Sequence, residues 1–293
     1  MSALLDSGAA AAHEAALRSA QHEAAEYLAR FRQIGLLDGH ALWAGGTVVE
    51  DPSVPGTDGD GEGIVRTIHF VRHGQGFHNL LADVYRANGK SFSSLGDDFS
   101  DSCPYRRHEI RDAPLTEIGR QQAMVLRPAA RALRPELVVV SPLSRAVQTA
   151  LLAFDHLRDG PEAVPFVAHG GVQEQGGVQR CDHRRPIAEI AREFPSLDLS
   201  ALAPLGEADP LWNETKREPY AALCARARAF FEWLGQRPER EVAVVGHSAW
   251  LFTVLNAVLA VEGEAAPHGE GARRWFLTGE LRTLRVRFRT SEL

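Results

Sequence analysis

The sequence predicts an α/β fold of three layers, in which a mostly parallel sheet of roughly six strands lies between two layers of helices. Two observations predict this fold. After residue 63, short β-rich segments alternate with helical patterns, and this alternation is typical of parallel sheets that have helices on both faces. The last β-rich segment, residues 280–288, alternates apolar and polar residues as an edge strand does. We therefore expect an antiparallel strand at one edge of the sheet.

The first 63 residues are predicted to form a helical extension followed by an acidic linker. Apolar side chains recur at helical spacing within residues 3–34, which predicts one amphipathic helix docked on the main domain. Residues 51–63 read DPSVPGTDGDGEG, a composition typical of a solvated loop. The strand pattern begins only after this linker.

Residues 64–293 are predicted to form the main domain. Its β-rich segments are residues 65–71, 136–141, 164–168, 241–246 and 280–288, and its helical patterns cover residues 116–134, 142–157, 186–194, 217–235 and 248–261. A long insertion, residues 169–219, separates the third strand from the fourth. Ligands of open parallel sheets bind at the edge where the strands have their carboxyl ends, so the turns after the strands are the first place to look for a site.

Composition and charge limit the classes of function. A net charge of -6 over 293 residues argues against a nucleic-acid-binding protein, which needs a basic face to neutralise phosphates. No apolar run is long enough to span a membrane, and the N-terminus lacks the pattern of a signal peptide. The three cysteines are widely spaced and match neither a disulfide framework nor a metal-binding pair. We expect a cytoplasmic protein without nucleic-acid or membrane partners.

Four groups that can carry positive charge follow three of the predicted strands. Arg72 and His73 follow the first strand. Arg145 lies one turn into the helix after the second strand, and His247 directly follows the fourth. Because parallel strands end at a common edge, these side chains are expected to converge. Such a cluster suits an anion with several oxygens, and phosphate is the first candidate.

The cluster contains the groups that phosphoryl transfer needs. His73, as a neutral imidazole, could attack phosphorus and form a phosphohistidine. Arg72 and Arg145 would hold the phosphate oxygens as forked donors, and His247 and Asn79 would be further donors. This arrangement requires no metal and no other cofactor.

The proton donor for the leaving group is expected to be Glu174. It follows the third strand between two glycine pairs, so its loop can reach the same edge of the sheet. Glu109 and Asp182 are the alternative acids.

Four segments of the chain resemble the histidine phosphatase superfamily, which contains cofactor-dependent phosphoglycerate mutases and many phosphatases. The segments are, in order, VRHGQGFHN, DAPLTEIGRQQA, SPLSRAVQT and VAVVGHS. The resemblance implies that His73 is the phosphorylated nucleophile. It also implies that Arg72, Asn79 and Arg145 bind the phosphate and that His247 takes part in catalysis.

A closer similarity, to the phosphoglycerate-mutase-like proteins of plants and fungi, lies in the segment QEQGGVQRCDHRRPIAEIAREFPSLDLS. This similarity makes Glu174 the counterpart of the family's acid/base glutamate. Mutases usually carry glutamate directly after the RHG motif, whereas this chain has Gln75. The difference favours water as the final acceptor of the phosphoryl group.

Insertions over the carboxyl edge of the sheet serve as lids in this family. The insertion at residues 169–219 carries Arg180, Arg184 and Arg185. A lid of this charge is expected to select substrates that have a second acidic group.

We therefore expect a metal-independent phosphomonoesterase that acts on a small phosphorylated metabolite through a phosphohistidine intermediate. The alternatives are a phosphoglycerate-type phosphomutase and a non-catalytic phospholigand-binding protein. The segment GHSAW also resembles the nucleophile elbow of serine hydrolases, with Ser248 as nucleophile, but Trp250 stands where that motif has its second glycine.

Overall fold

The computed structural model of the chain describes residues 2–38, 43–49, 63–96, 100, 102–261 and 268–289, and for residues 2–12 it describes the backbone alone. The acidic linker predicted at residues 51–63 lies, except for Gly63, outside the described residues. Within the part of the chain that is described, no helix is both long and apolar enough to cross a membrane.

A seven-stranded sheet forms the centre of the described structure. Its strands are β1 (Trp43–Val49), β2 (Ile64–Arg72), β3 (Leu137–Val140), β4 (Phe166–Ala168), β5 (Glu241–Gly246), β6 (Leu259–Val261) and β7 (Leu281–Phe288). Their order across the sheet is β4-β3-β5-β2-β7-β1-β6. β7 runs antiparallel to both of its neighbours, and every other pair of neighbours is parallel. The predicted α/β class with a mostly parallel sheet is therefore confirmed.

Eight α-helices accompany these strands in the described residues. They are α1 (Ser2–Gln33), α2 (Phe77–Ala87), α3 (Glu117–Val125), α4 (Arg127–Ala132), α5 (Ser144–Ala153), α6 (Ile187–Glu193), α7 (Tyr220–Gly235) and α8 (Ser248–Thr253). Leu137 and Val139 of β3 pack in one core with α7 and α8, whereas Val138 and Val140 pack in another with α5. Because alternate residues of a strand point to opposite faces, the sheet has helices on both sides, as the three-layer prediction requires.

The antiparallel strand lies inside the sheet and not at its edge. β7 pairs with β2 along one side and with β1 along the other, so the predicted edge position of residues 280–288 is wrong. β1 was not predicted because Gly45 and Gly46 give its sequence the composition of a turn. A Cβ at either glycine would overlap the indole of Trp43, so both glycines are needed for this side chain to pack against its own strand.

The helix predicted at residues 248–261 is shorter in the structure. α8 ends at Thr253, a π-helical turn covers Val254–Val258, and β6 follows. The segment is mostly apolar and buried, and periodicity alone does not separate a buried helix from a buried strand. The helix predicted at residues 116–134 is divided into α3 and α4 next to Pro128, which has no N–H to continue the helical hydrogen bonds.

Helix α1 packs against the main domain through aromatic side chains. Tyr27 and Phe31 belong to one buried cluster with Phe252 and Trp275, and Tyr220 packs against that cluster. The ring centroid of Phe31 lies 5.0 Å from that of Tyr220 in an edge-to-face contact. The domain boundary predicted after residue 63 stays a prediction. Both α1 and β1, which precede it in the chain, pack with the rest of the described residues.

Replacing Phe31 by alanine is expected to lower the free energy of unfolding by about 3–5 kcal/mol, because a buried aromatic side chain is lost and a cavity is left. The control is Val125→Ala, since Val125 is 76% exposed on α3, and its effect should stay within about 0.5 kcal/mol. Urea unfolding measures both changes. Equal, small effects of the two substitutions would contradict the docking of α1 through Phe31.

Candidate active site

Three neighbouring strands bring the predicted cationic residues together. Arg72 ends β2 opposite Gly246, which ends β5. His73 and His247 are therefore the next residues of two adjacent parallel strands, and their ring centroids are 5.0 Å apart. β3 is the other neighbour of β5, and the helix after it, α5, carries Arg145 in its first turn. Nε of Arg145 is 3.2 Å from Nε2 of His73.

The turn after β2 requires glycine at position 74. A Cβ at Gly74 would overlap the carbonyl oxygen of Gly119 in α3, so only glycine permits this close approach of two backbones. The N–H of Gly74 donates to Oγ1 of Thr149, which donates in turn to the carbonyl oxygen of Arg145. These hydrogen bonds fix the turn that holds His73 relative to α5.

Two hydrogen bonds assign the proton of the His73 imidazole. Nδ1 lies 2.6 Å from the carbonyl oxygen of Gly74, and because a carbonyl only accepts, Nδ1 carries the proton. Nε2 accepts from Nε of Arg145, so Nε2 carries the lone pair. Burial, and then the charges of Arg145 and Arg72, hold the pKa of His73 well below its usual value. The side chain is thus a neutral imidazole with its lone pair beside a guanidinium.

One carboxylate holds two guanidiniums at this edge. Asp182 is buried and accepts from Nη2 of Arg145 at 2.8 Å and from Nη1 of Arg217 at 3.0 Å. Nη1 of Arg145 also donates to the carbonyl oxygen of Cys181. These bonds set the direction of the Arg145 side chain and leave its Nε for His73. Arg217 was not predicted, because it follows no strand and lies in no recognised motif.

Several buried polar atoms around His73 have no hydrogen-bond partner among the described residues. They include Nε of Arg72, Nδ1 of His78 and Nδ1 of His247. The other ring nitrogen of His247 lies 2.7 Å from Oγ of Ser141. A buried polar atom without a partner costs about 1–3 kcal/mol, so this grouping fits a ligand that brings several polar oxygens.

A cavity that is open to solvent on one side lies at this site. Of the predicted site residues, Arg72, His73, Asn79, Arg145 and Glu174 line it, and so does the alternative acid Asp182, whereas His247 does not. Glu23 and Tyr27 of α1 line it as well, and they were not predicted because no local pattern connects α1 with the strand ends.

The Asn79 side chain is held at the start of α2. Its amide oxygen accepts from the N–H of Gly76. Because that bond uses the oxygen, the amide nitrogen remains as the group that can donate to a ligand in the cavity.

Backbone N–H groups at the start of α8 orient Glu174. Its Oε1 accepts from the N–H groups of Gln175 and Trp250, and its Oε2 accepts from that of Ala249. Burial, and then the charge of Asp182, raises the pKa of Glu174. The protonated form is therefore more accessible than in an ordinary glutamate, which suits a proton donor.

The alternative acids are less suitably placed. Glu109 is exposed, pairs with Arg107 and does not line the cavity. Asp182 lines the cavity, but each of its carboxylate oxygens accepts from an arginine.

The arginines predicted to select a second acidic group do not line this cavity. Arg184 is buried and donates to four backbone carbonyl groups. Arg185 pairs with Asp112, and Arg180 pairs with Glu214. Their charges are thus used within the fold, and the structure does not bring these three side chains to the cavity beside His73.

The described residues contain no cluster of side chains of the kind that holds a metal ion. None of their His, Cys, Asp and Glu side chains form a group of three or more that could hold a metal ion. Cys103, Cys181 and Cys224 are free and buried. That the reaction needs no metal or cofactor stays a prediction.

A family model and several known proteins are similar to this chain. Residues 104–272 match the model of the histidine phosphatase superfamily, branch 1. A phosphoglycerate mutase-like protein of Arabidopsis thaliana is 32% identical over 219 residues, which cover 66% of this chain and 74% of that protein. Phosphoglycerate mutase-like protein 1 of the same plant is 33% identical over 220 residues, covering 66% and 72%. A probable phosphatase of Schizosaccharomyces pombe is 28% identical over 191 residues, covering 64% and 76%.

Replacing Asp182 by asparagine is expected to lower the free energy of unfolding by about 3–5 kcal/mol, because removing one partner of a buried ion pair leaves an uncompensated charge. Here the guanidiniums of Arg145 and Arg217 would both lose their carboxylate. Glu214→Gln is the matched control, since exposed Glu214 pairs with Arg180 at the surface, and it should cost less than about 1 kcal/mol. Similar losses for both variants in chemical denaturation would contradict the role of Asp182.

A second prediction concerns the pH dependence of stability at His78. Burial, and then the charge of Arg145, holds the pKa of His78 well below its usual value. In the unfolded chain this imidazole binds a proton as the pH falls through about 6.5, whereas in the folded chain it stays neutral, so acid favours unfolding. The stability of the wild type relative to His78→Gln should therefore fall between about pH 7.5 and about pH 5.5. Chemical denaturation of both proteins at the two pH values measures this difference in the free energy of unfolding. A difference that does not change with pH would refute the lowered pKa of His78.

Proposed function

This chain belongs to the histidine phosphatase superfamily, and from that premise we propose that it is a phosphomonoesterase, which hydrolyses a small phosphorylated metabolite through a phosphohistidine at His73. The observation that carries the proposal is the neutral imidazole of His73, whose Nε2 lone pair lies beside Arg145 at the cavity. The imidazole is neutral although guanidiniums lie beside it. It can therefore attack a phosphate group that those guanidiniums bind.

In the first step, Nε2 of His73 forms a bond to phosphorus as the bond from phosphorus to the ester oxygen breaks. The electron pair of the broken bond leaves with the organic oxygen, and protonated Glu174 donates the proton that makes it an alcohol. Arg72 and Arg145 bind the non-bridging oxygens and offset their negative charge. The raised pKa of Glu174 supports its role as the donor.

In the second step, a water molecule attacks phosphorus and the bond to Nε2 breaks, so that the electron pair returns to the imidazole of His73. The carboxylate of Glu174 accepts the proton of the water, and inorganic phosphate is released. Nδ1 of His247 and the amide nitrogen of Asn79 would donate to phosphate oxygens in both steps, because their other polar atoms are engaged by Ser141 and by the backbone.

A phosphomutase of the phosphoglycerate type is the second candidate, because two similar proteins are named phosphoglycerate mutase-like. Both reactions share the first step and differ in the acceptor of the phosphoryl group. The side-chain oxygen of Gln75, where mutases usually carry glutamate, accepts from the hydroxyl of Thr116, and Gln75 does not line the phosphate cavity. The turn after His73 thus offers no acidic group there, which supports water as the acceptor.

The proposal makes a small phosphate ester the partner of this protein. A net charge of -6 supports the absence of a nucleic-acid partner. We also propose a cytoplasmic location, which the free, buried cysteines of the described chain support.

The nucleophile can be tested with a phosphomonoester that carries a radioactive phosphoryl group. Wild-type protein quenched during turnover is expected to hold label that is labile in acid and stable in base. His73→Ala is expected to hold none and to lose at least about 1000-fold in kcat/KM, because the attacking group is gone. His22→Ala is the control, since exposed His22 lies on α1 and lines no part of the cavity.

Each other outcome favours a different function. Label retained by His73→Ala would exclude His73 as the nucleophile. A wild-type protein that releases no inorganic phosphate from any of a broad panel of esters would be a binding protein and not a phosphatase. Transfer of label to a second organic molecule would favour the mutase, and reaction of Ser248 with a fluorophosphonate would favour a serine hydrolase.

A further inference from the structure

A second cavity adjoins the phosphate cavity. The wall residues that the two cavities have in common are Glu23, Arg72, Asn79, Tyr105 and Trp275. A ligand whose phosphate lies in the first cavity can therefore extend its organic part into the second.

Apolar side chains from three elements line the second cavity. Helix α1 contributes the small side chains of Ala15, Ala16 and Ala20. Ile118 of α3 and Leu277, which precedes β7, lie on other parts of the wall. Ile118 is 53% exposed, so a ligand that covered it would remove apolar surface from water.

The cations in this cavity are already engaged. Arg86 lies 3.4 Å from the carboxylates of both Asp83 and Glu23. Arg72 belongs to the phosphate site, and the described residues that line the second cavity include no further cation. A second anionic group on the ligand would therefore meet Glu23 and Asp83 without a free cation to balance it.

Trp275 marks the junction between the two cavities. It is 5% exposed, lines both cavities, and its indole Nε1 has no hydrogen-bond partner among the described residues. Its ring centroid lies 5.1 Å from that of Tyr27, so the docking of α1 positions this wall. A ligand that crosses the junction could accept a hydrogen bond from the indole.

We propose that the second cavity binds the organic part of the substrate, and that the substrate is a phosphomonoester whose organic part is uncharged and largely apolar. The inference rests on the proposed phosphomonoesterase function and names its substrate class. It makes α1 the element that determines specificity. It also reverses the preference for a second acidic group that was expected from Arg180, Arg184 and Arg185.

Phosphonates test this inference in the wild-type protein without turnover, because their carbon–phosphorus bond is not an ester. Three compounds differ only in the organic part: methylphosphonate, (1-naphthylmethyl)phosphonate and phosphonoacetate. Calorimetry is expected to give a Kd for the naphthyl compound at least about tenfold lower than for methylphosphonate, because the ring buries apolar surface in the second cavity. Phosphonoacetate should bind no more tightly than methylphosphonate.

A matched pair of substitutions on α1 locates the effect. Ala16→Trp places a large side chain in the second cavity and should abolish the naphthyl preference. Ala25→Trp places the same side chain at an exposed position of the same helix that lines neither cavity, and it should leave the preference intact. Equal Kd values for the naphthyl and methyl compounds in the wild type, or equal effects of the two tryptophans, would overturn the inference.

A second pair tests the charge preference. Glu23→Gln should lower the Kd of phosphonoacetate relative to methylphosphonate by at least about threefold, because it removes a carboxylate from the wall and leaves Arg86 with Asp83 as its one carboxylate partner there. Glu14→Gln is the control, since Glu14 is exposed on α1 and pairs with Arg18. Phosphonoacetate binding more tightly than the naphthyl compound to the wild type would contradict the proposed substrate class.

Turnover separates this inference from the function on which it rests. If the wild type prefers the naphthyl phosphonate but releases no phosphate from 1-naphthyl phosphate or any other ester, the hydrolytic function fails and the assignment of the second cavity stands. If it hydrolyses esters but binds the three phosphonates without preference, the function stands and the inference fails. No measurable binding of any phosphonate would contradict the inference, and the release of phosphate from esters would still decide the function.

Discussion

The candidate site depends on one hydrogen bond, which His73 donates from Nδ1 to the carbonyl oxygen of Gly74. Burial and two neighbouring guanidiniums, those of Arg145 and Arg72, keep the imidazole neutral, and this bond places its remaining proton on Nδ1. The bond from Nε of Arg145 requires the same tautomer, because a protonated Nε2 could not accept it. The two contacts together present a lone pair at the point where positive charge would hold a phosphate.

The rest of the fold keeps these charged groups in place. The β2–β5 ladder ends at the pair of Arg72 and Gly246, so the histidines that follow are adjacent by register and need no flexible loop to meet. Asp182 compensates the guanidinium of Arg145 and joins it to Arg217 from the insertion. Because a buried charge without a partner is unstable, this carboxylate links the stability of the fold to the direction of the arginines, including Arg145, which is proposed to bind phosphate.

The main site residues could be predicted because each one follows a strand, and the common edge of a parallel sheet brings such positions together. The elements that were missed depend on contacts between distant parts of the chain. β1 has the composition of a turn at Gly45 and Gly46, and it is a strand because it pairs with β6 and β7 from the far end of the chain. Arg185 lies in the segment that resembles the plant and fungal proteins, yet its side chain pairs with Asp112 and does not line the cavity. Glu23 reaches the cavity only because α1 docks beside it, and no local sequence pattern encodes that docking.

Nitrogen NMR of the His73 imidazole tests the central claim most directly, with the resonances assigned by their loss in His73→Ala. A neutral ring protonated at Nδ1, unchanged from neutral pH down to about pH 5.5, is the predicted result, because burial and the two guanidiniums oppose a second proton. A ring protonated at Nε2, or an imidazolium already present near neutral pH, would contradict this account of the nucleophile.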